Sequence, residues 1–406
     1  MLRTMVPMGR RLPVVALVAL LLAAPAGAGS STLARQLAKA LAVPHVSPAQ
    51  TGALVFDLQT GTTVFADNDT LSLAPASNEK LGVTYAALDA LGPAFRIQTD
   101  VVGRGEQDGN VWHGALLLVG HGDPTLSSAG LLDLARQVRA AGIVHVSGSV
   151  FGDESFFDAR RTGPGWKPSY YIGESPPLSA LTVDRAVYRG RVSRNPALSA
   201  ALGFRTALAQ AGVSVAGGTG TGVDHGDGVS LASLDSPPLS AILRWMDRAS
   251  DNFVAELLLK QLGALAATPG TTKAGAAFVA TELAGAGVPL DGVRIADGSG
   301  LSQLDRVTAD EVAGILEAAW NDAELRPWFT SFLPVAGING TLSDRMRHPP
   351  ARGHVLAKTG TTDRASALSG YVRGRWVFSV VQNGHPVSAQ WARRAQDRFA
   401  TVLAAQ

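Results

Sequence analysis

Three short polar clusters, spread along 406 residues, restrict the folds open to this chain. Lysine is rare, six residues against 29 arginines, and two of the six sit in patterns that occur once each. One is Ser77-Asn78-Glu79-Lys80, the other Lys358-Thr359-Gly360, and Ser250-Asp251-Asn252 lies between them. In a helix, residues i and i+3 share a face, so the Ser77 hydroxyl and the Lys80 amine can meet. At a helix start, unpaired N–H groups and the positive dipole end favour negative charge, so the Ser77 N–H can also serve an oxyanion. Lys80 takes a proton only when neutral, which means moving it from about 10.4 by about 3.4 units, roughly 4.6 kcal/mol. Burial beside another cation, here Lys358, is an environment that does this. Taken alone, each pattern reads as a solvated cap or strand edge; together they demand a fold that closes one crevice around all three.

The surrounding pattern predicts the elements that would carry them. Ala53–Phe65 reads as a hairpin about Thr60-Gly61. Ser77 opens a helix in which Leu81, Tyr85, Leu88 and Leu91 recur at helical spacing, stopped by Gly92-Pro93. Residues 94–239 break into short apolar strings separated by Gly, Pro, Asp and Ser, a mixed β-rich region with one helix near Ser128–Ala141. The Gly-rich stretch Gly217–Gly228 reads as a loop. A strong helix spans Leu239–Leu265 and another lies near Thr308–Trp320. Ala365–Val372 and Trp376–Gln382 flank a tight turn, and Ser388–Ala404 is an amphipathic helix. Packing of that helix on a sheet is the commoner arrangement; a membrane surface is the other seat open to it.

The formal charge of +2 does not indicate a nucleic-acid surface. Residues 1–28 hold Arg3, Arg10 and Arg11 and no acid, and the remainder carries 32 Lys+Arg against 33 Asp+Glu. The basicity belongs to that leader. The three arginines precede the apolar run Val14–Ala24 and a small-residue Ala26-Gly27-Ala28 site, the pattern of a secretory signal. Leu12–Ala34 is uncharged, which also suits an uncleaved anchor, but Pro13, Pro25 and Gly27 interrupt it. Without cysteine there is neither a disulfide framework nor a thiolate metal site.

The second cluster has a competitor, Ser193-Arg194-Asn195, which is followed by Pro196 in a basic, aperiodic stretch. Ser250-Asp251-Asn252 leads into the apolar FVAELLLKQL and is preferred. Ser250 would relay a proton to a leaving amine, and Asn252 would hold a substrate amide. Lys358 would attract a substrate carboxylate and Thr359 and Thr361 would bond to it. The Thr361 N–H would complete the oxyanion hole, and Gly360 would let the substrate backbone approach. His121-Gly122-Asp123 reads as a turn, and Asp297-Gly298-Ser299-Gly300 as a tight turn near the cleft. No metal-ligand spacing is present, and no metal or other cofactor is expected.

With its three clusters in this order, and with PASNEK, GHGDPTL, RASDNFVAELLLK, DGSGLS, GINGTLSDR and KTGTTDRASALSGYV, the chain resembles the class C low-molecular-mass penicillin-binding proteins, exported D-alanyl-D-alanine carboxypeptidases and endopeptidases. The resemblance covers most of residues 46–406. It implies an α+β fold: a β-lactamase/transpeptidase-like domain of antiparallel sheet flanked by helices, from 29–93 and 240–406, with an inserted β-rich region at 94–239 after a signal peptide at 1–28. It implies a serine D-Ala-D-Ala carboxypeptidase acting on peptidoglycan stem peptides through a Ser77 acyl-enzyme, inhibited covalently by β-lactam antibiotics. The expected location is outside the cytoplasm, in the periplasm or cell-wall space. Asn78 and Glu79 are taken as polar fillers, and His121 stands where the family suggests glycine. Two alternatives remain. A serine β-lactamase would need a deacylating Glu, whereas Glu256 lies four residues past Asn252 and no E-x-x-L-N follows. A non-catalytic wall-binding protein would have no use for intact Ser77, Lys80, Ser250 and Lys358.

Overall fold

The computed structural model describes residues 28–406. The expected leader falls outside them except for Ala28, the first residue of helix α1 (Ala28–Leu41). The chain then forms the hairpin β1 (Thr51–Asp57) and β2 (Thr62–Asp67), a 3-10 turn at Ala76–Glu79, and α2 (Lys80–Leu91). Next come β3 (Gln98–Asp108), β4 (Val111–Gly120), α3 (Ser128–Ala140) and short strands β5 (His145–Val146) and β6 (Val150–Asp153). A small hairpin, β7 (Val187–Tyr188) and β8 (Arg191–Val192), precedes α4 (Pro196–Gln210), β9 (Ser214–Val215), β10 (Thr219–Thr221) and β11 (Val229–Asp235). Helices α5 (Leu239–Ala249), α6 (Asn252–Ala266), α7 (Thr272–Gly285), α8 (Ala309–Asn321) and α9 (Arg326–Phe332) follow. The chain closes with β12 (Val355–Thr361), β13 (Ala365–Val372), β14 (Trp376–Asn383) and α10 (Ala389–Ala404).

Two large sheets organise these elements. The first is antiparallel, in the order β12-β13-β14-β1-β2, so the first and last parts of the chain share it. Every residue of β13 is buried, because helices cover both faces. On one face Leu54, Ala367, Tyr371 and Val377 join side chains of α2, α5, α6 and α8. On the other Val55, Leu368, Phe378 and Val380 meet Leu37 of α1 and Phe399 and Leu403 of α10. A sheet covered twice has no solvent-facing side, so even the polar residues of these strands, Ser366, Ser369, Ser379 and Gln382, are buried. The apolar face of α10 is thereby committed: the Phe399 ring lies 5.6 Å from Phe65 and 6.4 Å from Phe378. This is the packing on a sheet expected as the commoner arrangement for this helix.

The second sheet is mixed, β10-β6-β4-β3-β11 with β5 and β9 beside it, and α3 and α4 cover it around a separate core of Val101, Leu116, Leu131 and Phe204. Three expectations need correction here. The region holds two helices rather than one. Helix α4 begins at Asn195, whose Oδ1 accepts from the Leu198 N–H, with Pro196 in the first turn. Ser193-Arg194-Asn195 is thus a helix start and not a rival site. Gly217–Gly228 contains β10, three residues paired parallel to β6. The helix expected over Leu239–Leu265 is two helices, broken at Ser250, which has a left-handed backbone (φ 57°), while Asp251 caps α6 by accepting from the Val254 N–H.

Candidate active site

Ser77 sits in the 3-10 turn that leads into α2, one turn ahead of the helix body. The turn is tight: Ala76 has φ 45°, and Gly300 (φ 81°) packs so closely that a Cβ there would overlap the Ala76 carbonyl oxygen. Lys80 is wholly buried, and its Nζ lies 3.0 Å from Ser77 Oγ, 2.8 Å from Asn252 Oδ1 and 2.6 Å from the Ser299 carbonyl oxygen. Two of those oxygens only accept, whereas a hydroxyl both donates and accepts. A neutral Lys80 therefore keeps two donated bonds and turns its lone pair to the Ser77 O–H.

Burial lowers Lys80 to about 8, against the pull of Asp297, Glu256, Asp251 and Asp247. The neighbouring cation expected to assist does not drive that shift. It is Lys358, lowered to about 7 by burial and then by Lys80's charge, that feels the repulsion. Lys358 is also fully buried, its Nζ donating to Ser250 Oγ at 2.8 Å and to the Thr359 carbonyl at 2.9 Å. The left-handed turn at Ser250 is what breaks the helix at this residue and sets its hydroxyl against β12.

β12 is the edge strand of its sheet. The Thr362 N–H bonds Ala365 O across to β13, while the Ala357 N–H turns outward to Pro334 O. Alternation along an antiparallel ladder then leaves the Thr359 and Thr361 N–H groups facing away from β13. Thr359 Oγ1 donates to Thr341 Oγ1 at 2.7 Å, and Arg393 Nη2 donates to Thr361 Oγ1 at 3.3 Å. Gly360 has a different reason than the one read from sequence. A Cβ there would lie 2.9 Å from the Ser77 nitrogen and 3.0 Å from the Pro75 oxygen, so it is the serine's own turn that comes close. Asn78 and Glu79 are not fillers either. Both are buried; Asn78 Nδ2 donates to the Lys358 carbonyl at 3.3 Å, tying the turn to β12, and burial raises Glu79 well above the carboxylate range.

The structure therefore brings Ser77, Lys80, Ser250, Asn252, Lys358, Thr359, Gly360 and Thr361 around one cleft, of about 340 Å³ on one side and about 540 Å³ on the other. Sequence reasoning missed several supports. Glu256 Oε1 accepts from the Gly298 and Ser299 N–H groups at 3.0 and 2.9 Å, and so holds the carbonyl that Lys80 uses. Asp297 Oδ1 and Oδ2 accept from the Gly300 and Ser302 N–H groups, fixing the turn expected there. Asp123 accepts from the Thr125 N–H and hydroxyl, the ordinary turn expected at His121–Asp123. Among the described residues no group of three or more His, Asp or Glu is placed to hold a metal ion.

A serine held beside a desolvated amine at an open sheet edge defines an enzyme class, the serine hydrolases that work through an acyl intermediate. Comparison with known proteins narrows it. A sequence model of the D-Ala-D-Ala carboxypeptidase 3 (S13) family matches residues 33–197 and 187–406, and the chain belongs to that family. It is 34% identical over 474 residues to a D-alanyl-D-alanine carboxypeptidase of Actinomadura sp. (strain R39), covering 94% of this chain and 86% of the relative. It is 32% identical to the carboxypeptidase DacB of Mycolicibacterium smegmatis, over 91% and 83% of the two chains. Its fold is similar to that of penicillin binding protein 4 from Haemophilus influenzae, with a TM-score of 0.79 and 22% identity over 92% of this chain and 98% of that one. The latter protein is also known complexed with a β-lactam.

Proposed function

We propose that this chain is a serine D-Ala-D-Ala carboxypeptidase with endopeptidase capacity, acting on peptidoglycan stem peptides outside the cytoplasm, with residues 29–93 and 240–406 as catalytic domain and 94–239 as insert. The observation that carries it is the Lys80 amine, desolvated and within 3.0 Å of Ser77 Oγ. Neutral Lys80 takes the Ser77 proton as Oγ attacks the penultimate D-Ala carbonyl. The Ser77 and Thr361 N–H groups receive the developing oxyanion. Lys358 and the hydroxyls of Ser250, Thr359 and Thr361 receive the terminal carboxylate, and Ser250 passes a proton to the departing amine. Asn252 holds a backbone amide of the substrate, and water then hydrolyses the ester. β-Lactams enter by the same attack and leave slowly. Glu256 faces the 298–299 backbone and not the cleft, which supports slow deacylation over β-lactamase turnover. The leader at 1–28 supports export.

Intact-mass measurement after exposure to benzylpenicillin tests this. One penicilloyl adduct on Ser77, absent from Ser77→Ala, is expected, together with D-Ala release from a pentapeptide. An unmodified wild-type protein contradicts the assignment.

A further inference from the structure

The cleft has two ends that differ in chemistry. Ser250, the donor to the leaving amine, lines only the part walled by Thr341, Asp344, Arg345 and Thr359. Lys167, Tyr170 and Asp363 wall the other part, which is left for the acyl side of the substrate. The leaving side does not end at the cleft. Arg345 and Arg393 line it, and both also line a groove of about 1220 Å³ between α1 and α10. Arg393 lies 3.3 Å from Thr361 Oγ1, at the junction. Arg345 is fixed by Asp397 at 2.7 Å and by Gln396 Oε1 at 3.1 Å. Beyond them the groove presents Lys39, Arg394 and Arg398, all exposed. Among the described residues Asp397 is the one acidic side chain lining it, and Arg345 already occupies that carboxylate. Glu174 and Asp344 offset charge in the cleft itself, so the unbalanced positive charge belongs to the groove.

We propose that this groove seats the leaving half of a long anionic substrate: a second stem peptide joined by a cross-link, its free carboxylates on Arg393, Arg394, Arg398 and Lys39. The proposal rests on the Ser77 acyl-enzyme reading. In the step it serves, the Ser77 Oγ–carbonyl bond forms and the cross-linking amide breaks. The proton goes through Lys80 and Ser250 to the departing amine of the second stem, and water later cleaves the ester. A lone D-Ala leaving group has a single carboxylate, the one assigned to Lys358 and its neighbouring hydroxyls, and leaves none for Arg394 or Arg398, whereas a second stem carries further carboxylates. A lipid surface fits less well, because the cationic row starts inside a crevice beside Thr361 and the apolar face of α10 is buried under the sheet.

The test uses the double variant Arg394→Glu/Arg398→Glu, which alters neither cleft wall. Four readouts are compared with wild type: kcat/KM on a cross-linked peptide dimer, on the same dimer with amidated carboxylates, on a pentapeptide losing D-Ala, and the rate of benzylpenicillin acylation. The expected result is about a tenfold fall on the anionic dimer alone, with wild-type cleavage of that dimer weakening as salt rises. Equal losses on all four, no loss on the anionic dimer, or a wild type that releases D-Ala but cuts no dimer overturns the proposal. So does a variant that loses binding to phosphatidylglycerol vesicles while dimer cleavage is unchanged. A wild type that neither takes up penicillin nor cuts either peptide fails the underlying reading instead.

Discussion

Arg185, in the turn just ahead of β7, grips Asp251 with both terminal nitrogens, at 2.9 and 3.3 Å, and its guanidinium lies 5.1 Å from the Phe253 ring. Asp251 stands between Ser250 and Asn252 and caps α6, so the second cluster is positioned partly from residue 185. Arg185→Ala is expected to slow penicillin acylation by about tenfold to a hundredfold, the scale of a small misplacement of catalytic groups. Arg185→Lys, which keeps the charge but not the fork, should recover only part of the loss. Stopped-flow acylation with thermal unfolding alongside separates positioning from misfolding; a rate unchanged in Arg185→Ala would show the grip to be idle.

The two lysines set the pH profile. Acylation needs Lys80 neutral, and with its pKa at about 8 the rate rises about tenfold per unit below that value. Binding a carboxylate needs Lys358 charged, and its pKa is about 7. A carboxylate-bearing peptide should therefore give a bell with its optimum between pH 7 and 8, reporting the pair rather than either amine. A thioester acyl donor without that carboxylate should keep the rising limb and lose the falling one. Identical profiles for the two substrates would remove Lys358 from carboxylate recognition.

The order of the three clusters, the helix behind Ser77 and the terminal hairpin were legible because each shows in local spacing. What was not legible depends on partners distant in sequence. The break at Ser250 leaves no mark on hydrophobic periodicity, since the apolar pattern of α5 runs into that of α6. Glu79, Glu256 and Glu311 look like surface charges, yet each is buried, and nothing beside them in sequence tells what they face. Gly360 shows the same limit: its need for no side chain is set by a turn nearly 300 positions away. Helix α4 was a failure of weighing, for Asn195-Pro196 is a recognisable helix start.

Glu311, in α8, is 3% exposed, and burial raises it to about 8 from 4.5. Between those values the folded chain holds a proton that the unfolded chain has released. Its contribution to stability therefore falls as pH rises across that window, by up to about 1.4 kcal/mol per unit. Glu311→Gln should match wild type near pH 4 and exceed it by on the order of 2–4 kcal/mol at pH 8. Thermal unfolding at the two pH values checks this; parallel curves would mean that the carboxylate is ionised in the fold.

Gly360→Ala would push a methyl against the Ser77 nitrogen and the Pro75 oxygen, both backbone atoms that cannot swing aside. β12 and the serine turn should part by a few tenths of an ångström. The expected cost is about 1–3 kcal/mol of stability and at least about a hundredfold in acylation, since the Ser77 and Thr361 N–H groups would no longer converge. Retention of wild-type acylation with lowered stability would show that the oxyanion site tolerates that separation.

Glu256 separates this enzyme from a β-lactamase most cleanly. Its pKa of about 8, set by burial and the charge of Asp297, leaves it mostly protonated at pH 7. Its Oε1 does a carbonyl's work, accepting from the Gly298 and Ser299 N–H groups and so holding the Ser299 oxygen 2.6 Å from Lys80 Nζ. Glutamine supplies the same acceptor. Glu256→Gln should therefore leave acylation and penicilloyl release within about twofold, whereas Glu256→Ala strands the buried Gly298 N–H at about 1–3 kcal/mol, leaves the Ser299 N–H on Asp297 Oδ1 alone, and loosens the carbonyl that steadies Lys80. If Glu256→Gln instead trapped the acyl-enzyme while leaving its formation intact, the carboxylate would be acting as a base on water.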